Sequence, residues 1–477
     1  MLPHSPVYLV FLGLVALAVH AIRPPAWRAF FLVAASCLFY AWFDLRFLGI
    51  LAALILVDYA VGRAIARGGP VRLYASVGIG LNLAGLAAFK YAGFFAEAAA
   101  EIVRALGGHS GIGTLQVILP VGISFYSFQG IAYIVEVYRD RTKAGGLLDT
   151  AFVLTFFPKL LAGPLVRASD LRSQLYRSDT TPSGRGLRLA AGLLLVGLFK
   201  KIVIADGLGS LADAAFRAAQ IPGAAASFPT PLFWQGFYLY AIQIYADFSG
   251  YTDLARGSAA LLGFDLPLNF RRPYFAVGLG DFWNRWHMSL TQWFREHLFN
   301  PLTRVTLQNG RLPRNVAQVG VTLVTMAAIG LWHGASWMFV AWGVWHGALL
   351  SIERLSRVSP RSAWGRVVAS LVTFHVVGLG WILFRSSSMA AAGQFALGLF
   401  TFRQLHWAGF YLAPVLWAGI LVVGLDVGEM AERRMSPEAR VWWRSIAAIA
   451  GGLVVAVLLL LAWARGSQAL PFIYGQF

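Results

Sequence analysis

The sequence predicts an all-α polytopic membrane protein, and three observations carry that prediction. Its 477 residues are 58% hydrophobic and 13% charged, with a mean hydropathy of +0.65, whereas a soluble domain is roughly a quarter charged. Apolar runs of membrane-crossing length follow one another along the chain. The formal charge of +18 falls largely on Arg residues between those runs, which the positive-inside rule explains better than nucleic-acid binding does. Cys37 is the one cysteine, so no disulfide framework or Cys-based metal site is expected.

A span needs about 20 residues to cross a hydrocarbon core about 30 Å thick. Runs of this kind are expected at Val7–Ile22, Trp27–Phe43, Arg46–Ala66, Leu73–Phe94, Leu115–Tyr138, Leu187–Ala205, Phe233–Phe248, Asn315–Leu331, Met338–Ile352, Val367–Phe384, Tyr411–Val427 and Ile446–Ala464. The first lacks the cationic start of a signal peptide, because Met1-Leu2-Pro3-His4 precedes it, so an uncleaved span is expected. Arg23 and Arg28 place the next loop in the cytoplasm and the N-terminus outside. Arg63, Arg67 and Arg72, then Arg139, Arg141 and Lys143, keep that alternation.

Residues 147–166 are apolar enough to cross, yet crossing would carry Arg167, Arg172, Arg177, Arg185 and Arg188 outside. Pro158 and Pro164 also break a helix there. A re-entrant segment satisfies both facts and implies an internal cavity, since irregular backbone at membrane depth needs protein or water around it. Residues 250–314 are expected to form a cytoplasmic-side interfacial region, with an amphipathic helix from Asp281 to Phe299 and Asp281 as its N-cap. Residues 315–352 carry the histidines of greatest interest. Arg354–Arg366 and Arg433–Arg444 read as further cytoplasmic stretches, which leaves the C-terminus outside. Residues 1–477 are taken as one membrane domain.

Ionisable groups inside spans are expensive and tend to mark function. His333, in Gly330-Leu331-Trp332-His333-Gly334-Ala335, closes one apolar run just before the next begins. Gly330 and Gly334 leave room for a ligand or a second backbone. From these residues alone a reactive imidazole and an interhelical hydrogen bond are both open. His287, in Phe282-Trp283-Asn284-Arg285-Trp286-His287-Met288-Ser289, reads more plainly as a histidine at the water boundary, and His346 and His375 as structural. No metal-ligand spacing is present. Ser336 shares a helix face with His333 if the helix continues, but lacks a nucleophile elbow.

Four segments together have a wider meaning: Asp247-Phe248-Ser249-Gly250-Tyr251-Thr252-Asp253, Leu268-Asn269-Phe270-Arg271-Arg272-Pro273-Tyr274, the Asp281–Pro301 block and Gly330–Gly347. They resemble the membrane-bound O-acyltransferase superfamily, and most of all its bacterial alginate O-acetylation branch, related to the D-alanine transfer protein of teichoic acid synthesis. The likeness covers most of the chain, including Phe157-Pro158-Lys159 to Gly163-Pro164. The ending Phe472–Phe477 is similar too, except that Gly475 stands in place of an aromatic.

The resemblance implies a ring of about 11–13 tilted transmembrane helices around a central tunnel, with His333 as the catalytic histidine and His287 at the second motif position. It implies transfer of an acetyl group from a cytoplasmic thioester, acetyl-CoA, across the inner membrane to an extracellular polysaccharide through a periplasmic SGNH-type acetyltransferase partner. No bound cofactor, metal or nucleic acid is expected. Arg271, Arg272, Arg285, Trp286 and Asn284 are then candidates for donor binding, and Trp332 and Ser336 for the tunnel wall; for the three arginines, positive-inside anchoring is the competing reading. Another acyl group, a peptidoglycan or teichoic acid acceptor, or a membrane transporter are the alternatives.

Overall fold

A computed structural model of the chain describes residues 1–108, 118–177, 184–308, 310, 312–356 and 360–405, with 412–417, 419–420, 424 and 436 beyond them. Every element among these is helical, and four helices are long and apolar enough to cross a membrane: Leu45–Arg67, Val71–Ala105, Arg314–His333 and Ala363–Arg385. The protein is an all-α, multi-pass membrane protein. The span expected at Tyr411–Val427 is described only at residues 412–417, 419–420 and 424, while the span at Ile446–Ala464, the tail Phe472–Phe477 and, save for residue 436, the stretch Arg433–Arg444 lie outside the described residues.

The chain divides into two compact units, Met1–Ala190 with Ala255–Pro267, and Ala191–Leu254 with Leu268 onward. The first unit opens with α1 (Pro6–Ala21), where Ser5 caps the Tyr8 N–H at 3.3 Å, and α2 (Pro25–Ala41). Asp44 caps α3 (Leu45–Arg67) through the Arg46 N–H at 2.9 Å. Gly68, at φ +95°, ends that helix in a conformation that only glycine adopts freely. Next come α4 (Val71–Leu86), a π turn at Ala87–Tyr91, α5 (Ala92–Ala105) and α6 (Ile123–Arg139). Asn82 of α4 donates to the buried Asp58 of α3 at 2.7 Å, so a polar pair ties these helices where lipid offers no partner.

The segment expected to be re-entrant holds α7 (Leu147–Thr155) and the single turn α8 (Phe157–Leu160), separated by a break at Phe156. Nine residues rise only about 14 Å, so α7 alone is too short to span. Lys159 is buried there and donates to Gln129 at 3.4 Å, beside a cavity of about 10 Å³ that Tyr126, Gly163 and Pro164 help to line. That space admits about one water molecule. The first unit continues with α9 (Ala168–Leu175) and the start of α10 (Gly184–Leu198).

In the second unit a π-helical stretch, Phe199–Ala205, leads from α10 into α11 (Asp206–Ala218), followed by the short α12 (Ala224–Ser227) and the long α13 (Thr230–Leu261), whose residues from Ala255 count with the first unit. Helices α14 (Leu279–Trp283), α15 (Met288–Phe294) and α16 (Asn300–Gln308) come next, with a π turn at Arg295–Phe299. A hairpin of α17 (Arg314–His333) and α18 (Trp337–Ser356) precedes α19 (Ala363–Arg385) and α20 (Met389–Gly398).

Two local expectations are corrected. The helix expected from Asp281 to Phe299 is broken between Trp283 and Met288, with His287 at φ +42°. Gly278, not Asp281, is the N-cap of α14; Asp281 instead accepts the Val277 N–H at 3.1 Å and pairs with Arg285 at 2.7 Å. Ser336 does not share a helix with His333, because α17 ends at His333 and the Ser336 hydroxyl accepts the Met338 N–H at 3.2 Å at the start of α18.

Candidate active site

The α17–α18 hairpin places His333. A Cβ at Gly330 would strike the Phe339 carbonyl of α18, and one at Gly343 would strike the Met326 carbonyl of α17. Small residues therefore let the two backbones touch, which in a membrane substitutes for a hydrophobic drive between helices. Of the two uses foreseen for the glycines beside His333, the second backbone is realised at Gly330, and the Phe339 ring lies against Gly334. His333 then sits on the last residue of α17, 3% exposed.

His287 arrives from the other direction. The backbone around it is held by hydrogen bonds from the Arg271 N–H to the Arg285 carbonyl and from the Met288 N–H to the Asn269 carbonyl, each 3.0 Å. The side chain of Glu353, on α18, accepts the N–H groups of Leu279 and, at 3.1 Å, Gly280. One carboxylate of the hairpin thus satisfies the open N-terminus of α14, whose chain leads directly to His287. A left-handed conformation at a non-glycine residue costs energy and is kept where the surroundings demand it.

Aromatic rings join the two histidines. The Trp332 ring lies 5.9 Å from His287 and 4.9 Å from His333, centroid to centroid. Phe248 of α13 packs on His287 at 4.6 Å, and Trp342 and Phe384 pack on His333 at 5.2 and 5.3 Å. His287 is 1% exposed, and burial pulls its imidazole down to about 3, so the ring is neutral at physiological pH. His346, one turn beyond Trp342, packs on it at 5.0 Å, and neither of its ring nitrogens has a hydrogen-bond partner among the described residues. His375 is tied at both ends, to the Leu371 carbonyl at 2.8 Å and the Tyr238 hydroxyl at 3.1 Å, as a structural histidine is.

The remaining candidates separate. Trp286 is 1% exposed and stacks among Phe282, Phe270 and Trp381, in the core. Arg271 and Asn284 are exposed, Arg272 and Arg285 half-buried. Asn284 accepts from Arg295 at 2.7 Å and Arg285 is held by Asp281, so this cationic edge is partly neutralised.

A buried charge cluster was absent from the sequence-derived set. Lys201, 1% exposed, pairs with Asp247 at 2.8 Å and Asp206 at 2.9 Å, and Lys200 pairs with Asp253 at 2.7 Å. Asp247 immediately precedes Phe248, the ring against His287. Two lysines inside an apolar run and two aspartates inside another were the available signal, since charges in spans need each other. Glu353 gave none, because its partners are backbone groups far along the chain.

The profile of the membrane-bound O-acyltransferase family matches residues 146–371, which contain His287, His333 and the candidates from Arg271 to Ser336. The probable alginate O-acetylase AlgI of Azotobacter vinelandii is 35% identical over 402 residues, covering 82% of this chain and 76% of that protein. The chain belongs to the membrane-bound O-acyltransferase family. This acyltransferase is also 32% identical over 421 residues to the peptidoglycan O-acetyltransferase of Helicobacter pylori, covering 82% of the chain and 76% of the relative. Against the teichoic acid D-alanyltransferase of Streptococcus thermophilus the figures are 27% over 294 residues, 57% and 69%. Its chemistry is O-acyl transfer, and the buried His333 and His287 lie within the family-matched region.

Proposed function

We propose that this acyltransferase takes an acetyl group from acetyl-CoA on the cytoplasmic side of a bacterial inner membrane and delivers it outward for O-acetylation of a polysaccharide, through a periplasmic SGNH-type acetyltransferase partner, with the N-terminus in the periplasm and a tunnel admitting both substrates. The observation that carries this reading is one buried imidazole, His333, at the end of a span and one indole away from a second, His287. The alginate O-acetylase relatives support a polysaccharide acceptor.

His333 acts as general base. The acceptor O–H bond breaks, its proton passes to the imidazole, and the oxygen's electron pair forms a bond to the thioester carbonyl carbon. The C–S bond then breaks and the proton passes from imidazolium to sulfur, leaving a free thiol. Such a base contributes roughly 10²- to 10⁴-fold in rate. His287, kept neutral by burial, donates its one N–H to the carbonyl oxygen as negative charge develops. Arg271, Arg272 and Arg285 draw the donor's phosphates toward the cytoplasmic face, while Trp332 and Ser336 line the passage.

The test supplies radiolabelled acetyl-CoA to membranes containing the protein together with an SGNH-type periplasmic acetyltransferase, with alginate as acceptor and peptidoglycan fragments in a parallel arm. Acceptor-dependent release of CoA that disappears in His333→Ala, at unchanged protein abundance, is the expected result. Equal release from His333→Ala removes the residue from the mechanism. Transfer to peptidoglycan alone would favour the second reading, which the Helicobacter pylori relative supports.

A further inference from the structure

His333 is enclosed by three rings from three helices. Trp332 of α17, Trp342 of α18 and Phe384 of α19 have centroids 4.9, 5.2 and 5.3 Å from its own, and their planes meet its plane at 76°, 88° and 73°. All are buried: Trp332 is 4% exposed, Trp342 0% and Phe384 3%. Trp342 and Phe384 also brace each other at 5.3 Å, and Phe339 braces Phe384 at 4.9 Å, so the walls are held independently of the histidine.

Near-perpendicular rings at this distance pair a positive ring edge with a negative ring face. A neutral imidazole gains little from that arrangement. An imidazolium gains far more, because a cation over an aromatic face is attracted by its quadrupole, most strongly where water is excluded. With the imidazole supplying the edge and its neighbours the faces, the rings offset the cost of charging a buried imidazole at the moment the proton arrives.

We propose that Trp332, Trp342 and Phe384 form an aromatic cage that stabilises the imidazolium form of His333 while it holds the acceptor's proton. The inference rests on His333 acting as base, as set out above. Trp342 and Phe384 are positioning residues that act through the histidine, while Trp332 also lines the passage. Their effect is confined to the charged state, so it lowers the barrier without altering donor affinity.

Fluorinated phenylalanines test this directly. Replacing Phe384 by monofluoro-, difluoro- and pentafluorophenylalanine, introduced at that codon alone, withdraws electron density from the ring face with little change of shape. In the acetyl-CoA assay kcat is expected to fall stepwise along the series, reaching about 3- to 30-fold at the pentafluoro ring, with KM for acetyl-CoA and membrane abundance unchanged. A parallel series of fluorotryptophans at Trp342 should show the same ordering, and keeps the test alive if one site tolerates substitution poorly. Flat or rising kcat across both series overturns the cage. His333→Ala in the same assay separates the two failures: an active His333→Ala enzyme sinks the base role itself, whereas an inactive one beside a flat series sinks the cage alone.

Discussion

Protonating His287 means placing a charge among Phe248, Trp332 and the surrounding core, and burial resists it by pulling the imidazole from its ordinary 6.5 to about 3. Between those values the unfolded chain binds a proton that the folded chain does not. Stability from this group is therefore complete above about pH 6.5 and is lost as the pH falls, at about 1.4 kcal/mol per unit. In detergent, unfolding of the wild type should weaken by about 2 kcal/mol more than that of His287→Asn between pH 6.5 and 5; equal weakening would assign the acid sensitivity to other groups. Lys201 presents the opposite case, a buried cation already matched by Asp247 and Asp206. Lys201→Met leaves carboxylates without their ammonium and should cost about 3–5 kcal/mol. Lys200→Met, at a pair 14% exposed on each side, should cost clearly less, and a reversed order in melting experiments would contradict the geometry. Residue types thus left His333 open between two roles and the resemblance singled out both histidines, whereas the rings packed on them, Trp342, Phe384 and Phe248, come from other helices, a placement that no local pattern gives.

Helices were legible because each apolar run of sufficient length reads as one: α1, α2, α3, α17, α18 and α19 begin and end within a few residues of expectation. What periodicity could not show was the break between α14 and α15, where the backbone is held by bonds from the Arg271 N–H to the Arg285 carbonyl and from the Met288 N–H to the Asn269 carbonyl. The π turns at Phe199–Ala205 and Arg295–Phe299 likewise left no sign in the periodicity. The α17–α18 hairpin offers a sharp test at this scale. Gly343→Ala forces a methyl into the Met326 carbonyl, and the helices must part by overpacking, at about 1–3 kcal/mol or more. Gly320→Ala, on the same hairpin with nothing within 4 Å of the added carbon, should instead stabilise the helix by up to about 1 kcal/mol. Melting curves of the two variants should therefore move in opposite directions. Acyl transfer should fall with Gly343→Ala alone, because that displacement carries His333 with it.

For the molecule as a whole, the decisive solvent is lipid. Large apolar side chains stay exposed on helix after helix: Leu14 and Leu17 of α1, Leu56 of α3, Leu83 of α4, Val324 of α17, Leu371 and Val372 of α19. Water penalises large apolar side chains left uncovered along a helix, whereas hydrocarbon satisfies them without cost. The same logic that made the fold class readable from hydropathy makes the outward faces testable one position at a time. Leu56 lies at the middle of α3 and is 54% exposed, while Leu51 and Ile55 on that helix are 1% and 8% exposed. An arginine at the centre of a span costs about 2.5–3.5 kcal/mol on insertion scales. Leu56→Arg should therefore reduce the amount of protein recovered in membranes severalfold, while Leu56→Phe, which keeps the surface apolar, should leave it unchanged. Arg at Ala66, near the end of the same helix beside Arg67, should be tolerated, since a long cationic side chain there reaches the headgroups. Equal recovery of the Leu56→Arg and Ala66→Arg proteins would mean that position 56 meets water rather than lipid, and α3 would then face a solvated interior.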